Sequence, residues 1–451
     1  MRRRDALFWL SRAALAGAFA GETALAQDAP APIAPGAPVA PTPSDLLGAS
    51  GEPYFTDWLN AFYARALAAG VPQGLIEQAL SGLSPDPRVA AHDTAQPEFA
   101  RPVSAYVEAQ ITPARIAQGV TRRDAISQFP AIEDRFGVPR DILVGVWALE
   151  SEFGRLQGDL DIFRSLSTLA ALGRRRPWAE SELLASFQVL QSGKAPGTHL
   201  VGSWAGAMGQ TQLLPSVYLA DGVDADGDGK CDIWGSAPDA LASAANLLAK
   251  AGWRRGEGWA RQVTLPAGFD YGLAEGPAEA PYAWAERGVT PIDGRPWTGA
   301  DGAAEAVLLL PCGAQGPAFL AFPNHFVIRR YNNSLAYALT VGLLADGFFA
   351  GAPPQIPWPH ETPLSLDDRL AAQSSLKTLG YDPGNIDGII GTRARGALRA
   401  WQKANHLPAD AYFSPQIIAR LKAEAAASAC APAGPSESGN CPATPGAFTH
   451  P

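Results

Sequence analysis

The amino-acid sequence predicts a mainly α, α+β chain with a small β portion, closed by a separate C-terminal helical module. Three observations predict this class. Apolar residues recur at helical spacing through most of residues 51–350, short strand-like runs are confined to 261–330, and a Pro-rich break at 351–363 precedes a second helical stretch at 364–422.

The first 26 residues have the plan of an export signal. Arg2, Arg3 and Arg4 form a basic start, an Ala-rich apolar run follows to Ala20, and Ala24-Leu25-Ala26 supplies small residues for cleavage. The paired arginines point to the twin-arginine route, Arg12 interrupts the apolar run, and no Cys follows the cleavage site to carry a lipid. The chain is therefore expected to be exported and soluble once residues 1–26 are removed, since no other stretch reaches the ~18 apolar residues of a membrane span. Residues 27–50 are rich in Ala and Pro, the composition of an extended linker. A formal charge of −9 without a basic stripe argues against nucleic acid as a partner, and a monomer is expected. Cys231, Cys312, Cys430 and Cys441 allow two disulfides in three pairings, with Cys430–Cys441 the local choice.

From Pro53 the pattern is helical: Phe55, Trp58, Leu59 and Phe62 share one face, which Ala66 continues. Tyr106 follows in Pro102–Val107, and a polar helix is predicted from Arg115 to Phe129. The next helix, Pro139 to Gly154, is the one the chain is organised around. Pro139 suits its opening, Asp141 the positive end of its dipole, and Gly154 a left-handed cap. Leu143, Val146, Trp147 and Glu150 fall at i, i+3, i+4 and i+7, so one carboxyl sits on the apolar stripe of its own helix. Desolvation there disfavours the charged form, and the expected upward pKa shift suits a general acid; a buried structural network is the competing reading. Further helices are predicted at 181–191, 237–250 and 334–346, and strands at 304–310 and 318–322.

Three other stretches carry chemistry. Ser203–Ser216 is dense in small residues that let backbone approach a ligand, and Ser203 and Gln212 can exchange hydrogen bonds with sugar hydroxyl and acetamido groups. A packed turn with a helix start at Ser216 explains it about as well. In Asp224–Gly235, carboxylates at loop positions one, three, five and nine, Gly229 at six and the Lys230 carbonyl at seven reproduce most of a calcium loop. The predicted ligands of a structural Ca2+ are Asp224, Asp226, Asp228, Lys230 and Asp232, the alternative being a solvated acidic turn. Gly235 replaces the usual Glu at position twelve, which leaves Asp239 to complete the shell. In Arg329–Ser334, Asn333 and Ser334 suit helix caps, whereas Tyr331 and Asn332 offer a ring face and an amide to a sugar.

Glu150-Ser151-Glu152-Phe153-Gly154, Ala205-Gly206-Ala207-Met208-Gly209 with Gln212, the acidic loop ending in Asp232-Ile233-Trp234, and Arg330-Tyr331-Asn332-Asn333-Ser334 resemble, in order, the motifs of the exported lytic murein transglycosylases of the B type. The resemblance implies a lysozyme-like helical core, a periplasmic location and peptidoglycan glycan strands as partner. It also implies Glu150 as the single catalytic acid/base, with Tyr106, Ser203, Gln212, Tyr331 and Asn332 lining the glycan groove and no cofactor needed for the chemistry. Leu213, Leu247 and Ala171 stand where that family often carries aromatics. Residues 364–422, with Leu376–Tyr381, Ile386-Asp387-Gly388-Ile389-Ile390-Gly391-Thr392-Arg393 and Ala397–Gln402, are similar to the three-helix peptidoglycan-binding domain. The expected reaction is non-hydrolytic cleavage of the bond between N-acetylmuramic acid and N-acetylglucosamine. Two readings compete with it: a hydrolytic muramidase using Asp159 or Asp161 as second carboxylate, and a non-catalytic, calcium-braced wall-binding protein. The six His residues come without a nucleophile motif, so Ser/His/Asp chemistry is poorly supported. Residues 423–451 are expected to form a disordered tail.

Overall fold

The structure, a computed structural model, describes residues 52–94 and 101–430. The export signal, the 27–50 linker and the Cys430–Cys441 pairing fall outside the described residues.

The largest core is helical. It gathers α1 (Pro53–Ala68), α2 (Gln73–Leu80), α3 (Pro87–Thr94), α4 (Val103–Gln110), α5 (Pro113–Asp124), α6 (Phe129–Phe136), α7 (Arg140–Ser151), α8 (Ile162–Leu172) and α9 (Arg176–Ser192). A two-stranded antiparallel ribbon, β1 (Leu160–Asp161) with β2 (Val201–Gly202), precedes α10 (Pro215–Asp221) and α11 (Ala237–Lys250). Every residue of α7 from Ile142 to Ser151 is buried, the polar Glu150 and Ser151 included. The chain then builds a four-stranded antiparallel sheet in the order β4-β3-β6-β5, from β3 (Ala260–Thr264), β4 (Thr290–Pro291), β5 (Val307–Leu309) and β6 (Ala318–Ala321). Short helices α12 (Pro281–Glu286) and α13 (Gly299–Ala303) lie within this region, whose core includes Val263, Trp284, Leu308 and Leu320. Helices α14 (Pro323–Tyr331) and α15 (Leu335–Ala350) return to the first core.

Helix α15 lies along α7 in the opposite direction. Tyr337, near its start, meets Glu150 near the end of α7, while Arg123 ties Asp141 at the start of α7 to the Phe348 carbonyl near the end of α15. The axes approach closely at Gly145, where a Cβ would stand 2.9 Å from the Val341 carbonyl oxygen.

The C-terminal module is a small bundle of α16 (Leu366–Thr378), α17 (Thr392–Ala404) and α18 (Pro415–Cys430) around Leu376, Leu398, Trp401 and Leu421. Gly396 lies exposed inside α17, with open space around it. Gly396→Ala is expected to stabilise the module by about 0.8 kcal/mol, read by denaturant unfolding, since Ala loses less backbone freedom in a helix. The 351–363 segment was expected to act as a linker, yet it is pinned near its end. Glu361 accepts hydrogen bonds from the Ser104 N–H of α4 at 2.9 Å, the Cys312 thiol at 3.2 Å and the module's Tyr412 hydroxyl at 2.7 Å.

Several expectations are corrected. The predicted helix from Arg115 to Phe129 is two: α5 ends at Asp124, and α6 opens at Phe129 with Pro130 in its first turn, where a missing N–H costs nothing. Pro139 is the N-cap of α7, and the left-handed turn that ends α7 begins at Glu152, two residues before Gly154. Residues 323–331, read with the strand region, are helical, opened by Pro323. Helix α18 continues to Cys430, past the Ala423 where the tail was placed. Cys231 and Cys312 are buried as free thiols in separate regions, so the two-disulfide scheme fails for this pair.

Candidate active site

Glu150 is 5 % exposed, and its Oε1 accepts a hydrogen bond from the Tyr337 hydroxyl at 2.8 Å. The other glutamate buried to the same degree, Glu182, has both oxygens occupied by the N–H and hydroxyl of Ser216, where it caps the start of α10. Burial pushes the Glu182 pKa up while the Ser216 bonds oppose the shift, a balance that suits a structural carboxylate.

Beyond α7 the backbone turns through three successive left-handed residues, Glu152 (φ 49°), Phe153 (φ 58°) and Gly154 (φ 84°). Non-glycine residues avoid this region unless their surroundings hold them there. The holding groups are visible. The Ser151 hydroxyl donates to the Gln210 carbonyl at 2.5 Å and accepts from the Gly154 N–H at 2.8 Å. A Cβ at position 154 would lie 2.5 Å from Gln210 Oε1, so only glycine fits this close approach.

Gln210 is the hub of the second wall. Its Oε1 accepts from the Trp147 indole N–H at 3.0 Å, and its Nε2 donates to the Trp234 carbonyl at 3.1 Å. Gln212 also has positive φ, 51°, and its Nε2 is spent on the carbonyls of Gln157 at 3.0 Å and Gly209 at 2.8 Å. Only the Gln212 carbonyl oxygen is left for a ligand, which narrows the role expected for this residue. Ser203 closes the preceding turn, its hydroxyl accepting from the Ala207 N–H at 3.1 Å. Tyr331 donates to the Thr211 carbonyl, which fixes the Ser203–Ser216 turn against the end of α14. Asn332 is 4 % exposed, and its Nδ2 has no partner among the described residues. A buried, unanswered donor is one that the oxygen of a bound ligand would satisfy. Tyr106 is half-buried on α4 beside Arg115, whose guanidinium lies 3.8 Å from Glu152.

In the acidic loop the oxygens of Asp224, Asp226 and Asp239 converge within 4.8 Å of one another. Asp228 and Asp232, the other expected carboxylate ligands, stand outside this trio; they accept the backbone N–H groups of Lys230 and Gly235, as Asp224 accepts those of Gly227 and Gly229. The side chain of Lys230 reaches the Gly193 carbonyl. Burial pushes the pKa of Asp239 up, as does the charge of Asp226. An all-oxygen donor set of this kind suits a hard cation.

Sequence reasoning missed Tyr337 and Gln210 as site residues. Tyr337 is a lone phenol in a mostly apolar helix whose other polar side chains are Thr340 and Asp346.

Residues 54–346 match the family model of the transglycosylase SLT domain, and residues 365–421 match a peptidoglycan-binding domain. The chain belongs to the SLT-domain lytic transglycosylases. Within this family it is 44 % identical to SltB3 from Pseudomonas aeruginosa, whose crystal structures carry NAG-anhNAM-pentapeptide and NAG-NAM-pentapeptide; the likeness covers 82 % of this chain and 100 % of that one, with a TM-score of 0.78. It is 31 % identical over 253 residues to the membrane-bound lytic murein transglycosylase B of Escherichia coli K12, spanning 53 % of this chain and 66 % of that protein. The E. coli lytic transglycosylase Slt35, solved in complex with calcium, is 27 % identical with a TM-score of 0.55, covering 66 % of this chain and 93 % of that one. In this transglycosylase no helix among the described residues is long and apolar enough to cross a membrane.

Proposed function

We propose that Glu150 is the acid and then the base with which this lytic transglycosylase cleaves the bond between N-acetylmuramic acid and N-acetylglucosamine. The observation that carries the reading is a buried carboxyl at the end of α7 that accepts the Tyr337 hydroxyl. The neutral form, accepting the Tyr337 hydroxyl on Oε1, passes its proton to the glycosidic oxygen. The substrate's own acetamido group stabilises the cation left at C1. The Glu150 carboxylate then takes the proton of the muramyl C6 hydroxyl as that oxygen closes on C1, giving a 1,6-anhydro ring without water. One group working in both senses needs a pKa near the working pH. Tyr106, Ser203, the Gln212 carbonyl, Tyr331 and Asn332 line the glycan groove in this reading.

The rival muramidase reading needs a second carboxylate, and its two candidates are engaged elsewhere. Asp161 caps α8 by accepting the Arg164 N–H at 2.7 Å. The Asp159 side chain is 87 % exposed and lies 3.8 Å from Arg88. Digestion of purified peptidoglycan by the mature protein, followed by mass spectrometry, separates the readings. Products lighter by one water than hydrolytic ones are expected; reducing ends would sink the proposal, and binding without cleavage would leave only the scaffold role.

Export to the periplasm by the signal in residues 1–26 belongs to the same proposal, since the substrate lies there. So does a structural Ca2+ held by Asp224, Asp226 and Asp239, which would brace the loop leading into Trp234 and its bond from Gln210. Saturating Ca2+ is expected to raise Tm by ~5 °C, a response that Asp224→Asn with Asp226→Asn should abolish in a thermal melt.

A further inference from the structure

We propose that the seam between the C-terminal module and the catalytic body is a receptor for the free carboxylate of a peptide stem attached to the glycan, a proposal that rests on the substrate reading above. A pocket of about 180 Å³ lies at this seam, between the start of α4, the β region and the module.

Its charge balance points to an anion. Arg101, Arg369, Arg395 and Arg399 line it, against the acids Glu275, Glu361 and Asp410. Every carboxylate oxygen of the three acids is already answered from within the protein. Glu361 takes Tyr412 on Oε1 and Ser104 with Cys312 on Oε2. Asp410 takes the Gln402 amide and the Tyr412 N–H on Oδ1 and the Ala314 N–H on Oδ2. Glu275 takes Arg395 on one oxygen and Arg399 on the other.

The arginines are not answered in the same measure. Each guanidinium carries five N–H donors. Arg369 is only 6 % exposed, yet its partners are the backbone carbonyls of Gly388 and Ser365, with no carboxylate among them. A buried cation without a counter-charge is costly, and a bound anion removes that cost. Arg101 is exposed at the pocket and makes no ion pair or hydrogen bond among the described residues. Two guanidinium groups thus lack an anionic partner.

The rest of the lining selects a peptide over an inorganic anion. Val103, Leu310, Leu364, Ile390 and Phe413 present apolar surface beside the arginines. A short peptide with small apolar side chains and a terminal carboxylate matches both halves, the carboxylate meeting an arginine fork and the side chains the apolar wall. SltB3, a relative of this chain, has been crystallised with a glycan that carries a pentapeptide.

The test is titration calorimetry on the mature chain with a sugar-free synthetic stem pentapeptide and with its C-terminal amide, beside a cleavage assay on peptide-free glycan strands. The acid is expected to bind about tenfold more tightly than the amide, and Arg101→Ala and Arg369→Gln each to weaken the acid by about tenfold, with glycan cleavage unchanged. Equal affinity for acid and amide, no binding by the wild type, or an affinity unmoved by Arg101→Ala overturns the proposal. Arg101 decides alone if Arg369→Gln does not fold, because its exposed side chain holds nothing together. A wild type that fails to cleave glycan would instead strike down the reaction on which the proposal rests, so the two failures are distinguishable.

Discussion

Glu150→Gln is expected to lower kcat on peptidoglycan by ~10³-fold or more while leaving the fold intact. Gln has nearly the same shape and keeps an oxygen to accept the Tyr337 hydroxyl, so the packing at the end of α7 survives. What it cannot do is give up and take back a proton, and positioned proton transfer contributes ~10²–10⁴ to rate. Tyr337→Phe sharpens the test. It removes the donor on Oε1 without touching the glycan groove residues, so kcat should fall by ~10-fold at nearly constant KM and the pH profile should move, as expected of a positioning residue. Initial rates on purified glycan, with far-ultraviolet circular dichroism as the fold control, check both. Full activity in Glu150→Gln would end the single-carboxyl mechanism.

Acid is expected to destabilise the protein through His325. This imidazole is fully buried in α14, with its ring stacked on Trp259 at 6.2 Å, and neither ring nitrogen has a partner among the described residues. Burial, reinforced by the charge of Arg329, pushes its pKa down from 6.5 to about 3. The folded state therefore holds the neutral ring while the unfolded chain takes up a proton below pH ~6.5. Since the unfolded state binds more protons, this contribution is fully present above that pH and is lost as pH falls toward 3, amounting to about 3 kcal/mol by pH ~4. His325→Phe should flatten this part of the stability curve. Urea titrations of both proteins between pH 7 and 4 would show it, and parallel curves would refute it.

How much of this was legible depends on how far apart the interacting groups lie in the chain. Helix α11 runs over the predicted 237–250 because its signals are local: Ser236 accepts the Asp239 N–H, and Pro238 stands in the first turn. The apolar stripe that placed Glu150 inside is likewise a property of one helix. Tyr337 was not legible as a partner because it meets Glu150 across 187 positions, and spacing within α15 says nothing of that. Gln212 shows the opposite failure: its residue type suggested a ligand contact, whereas the positive φ that turns its amide onto two carbonyls is a tertiary outcome. The acidic loop was half legible. Asp224, Asp226 and Asp239, all named from the sequence, converge, whereas Asp228 and Asp232 stand outside the trio; Asp239 reaches it because α11 folds back over the loop.

The Glu361 junction changes what the C-terminal module is for. A slack tether would let the module sample a volume and simply raise local substrate concentration, with an effect set by tether length. Here one carboxylate fastens the module to α4 and to the β region together. The distance between gripping and cutting is then a ruler built into the enzyme. The module's offset from Glu150 is set by the Glu361 contacts and not by the length of a tether.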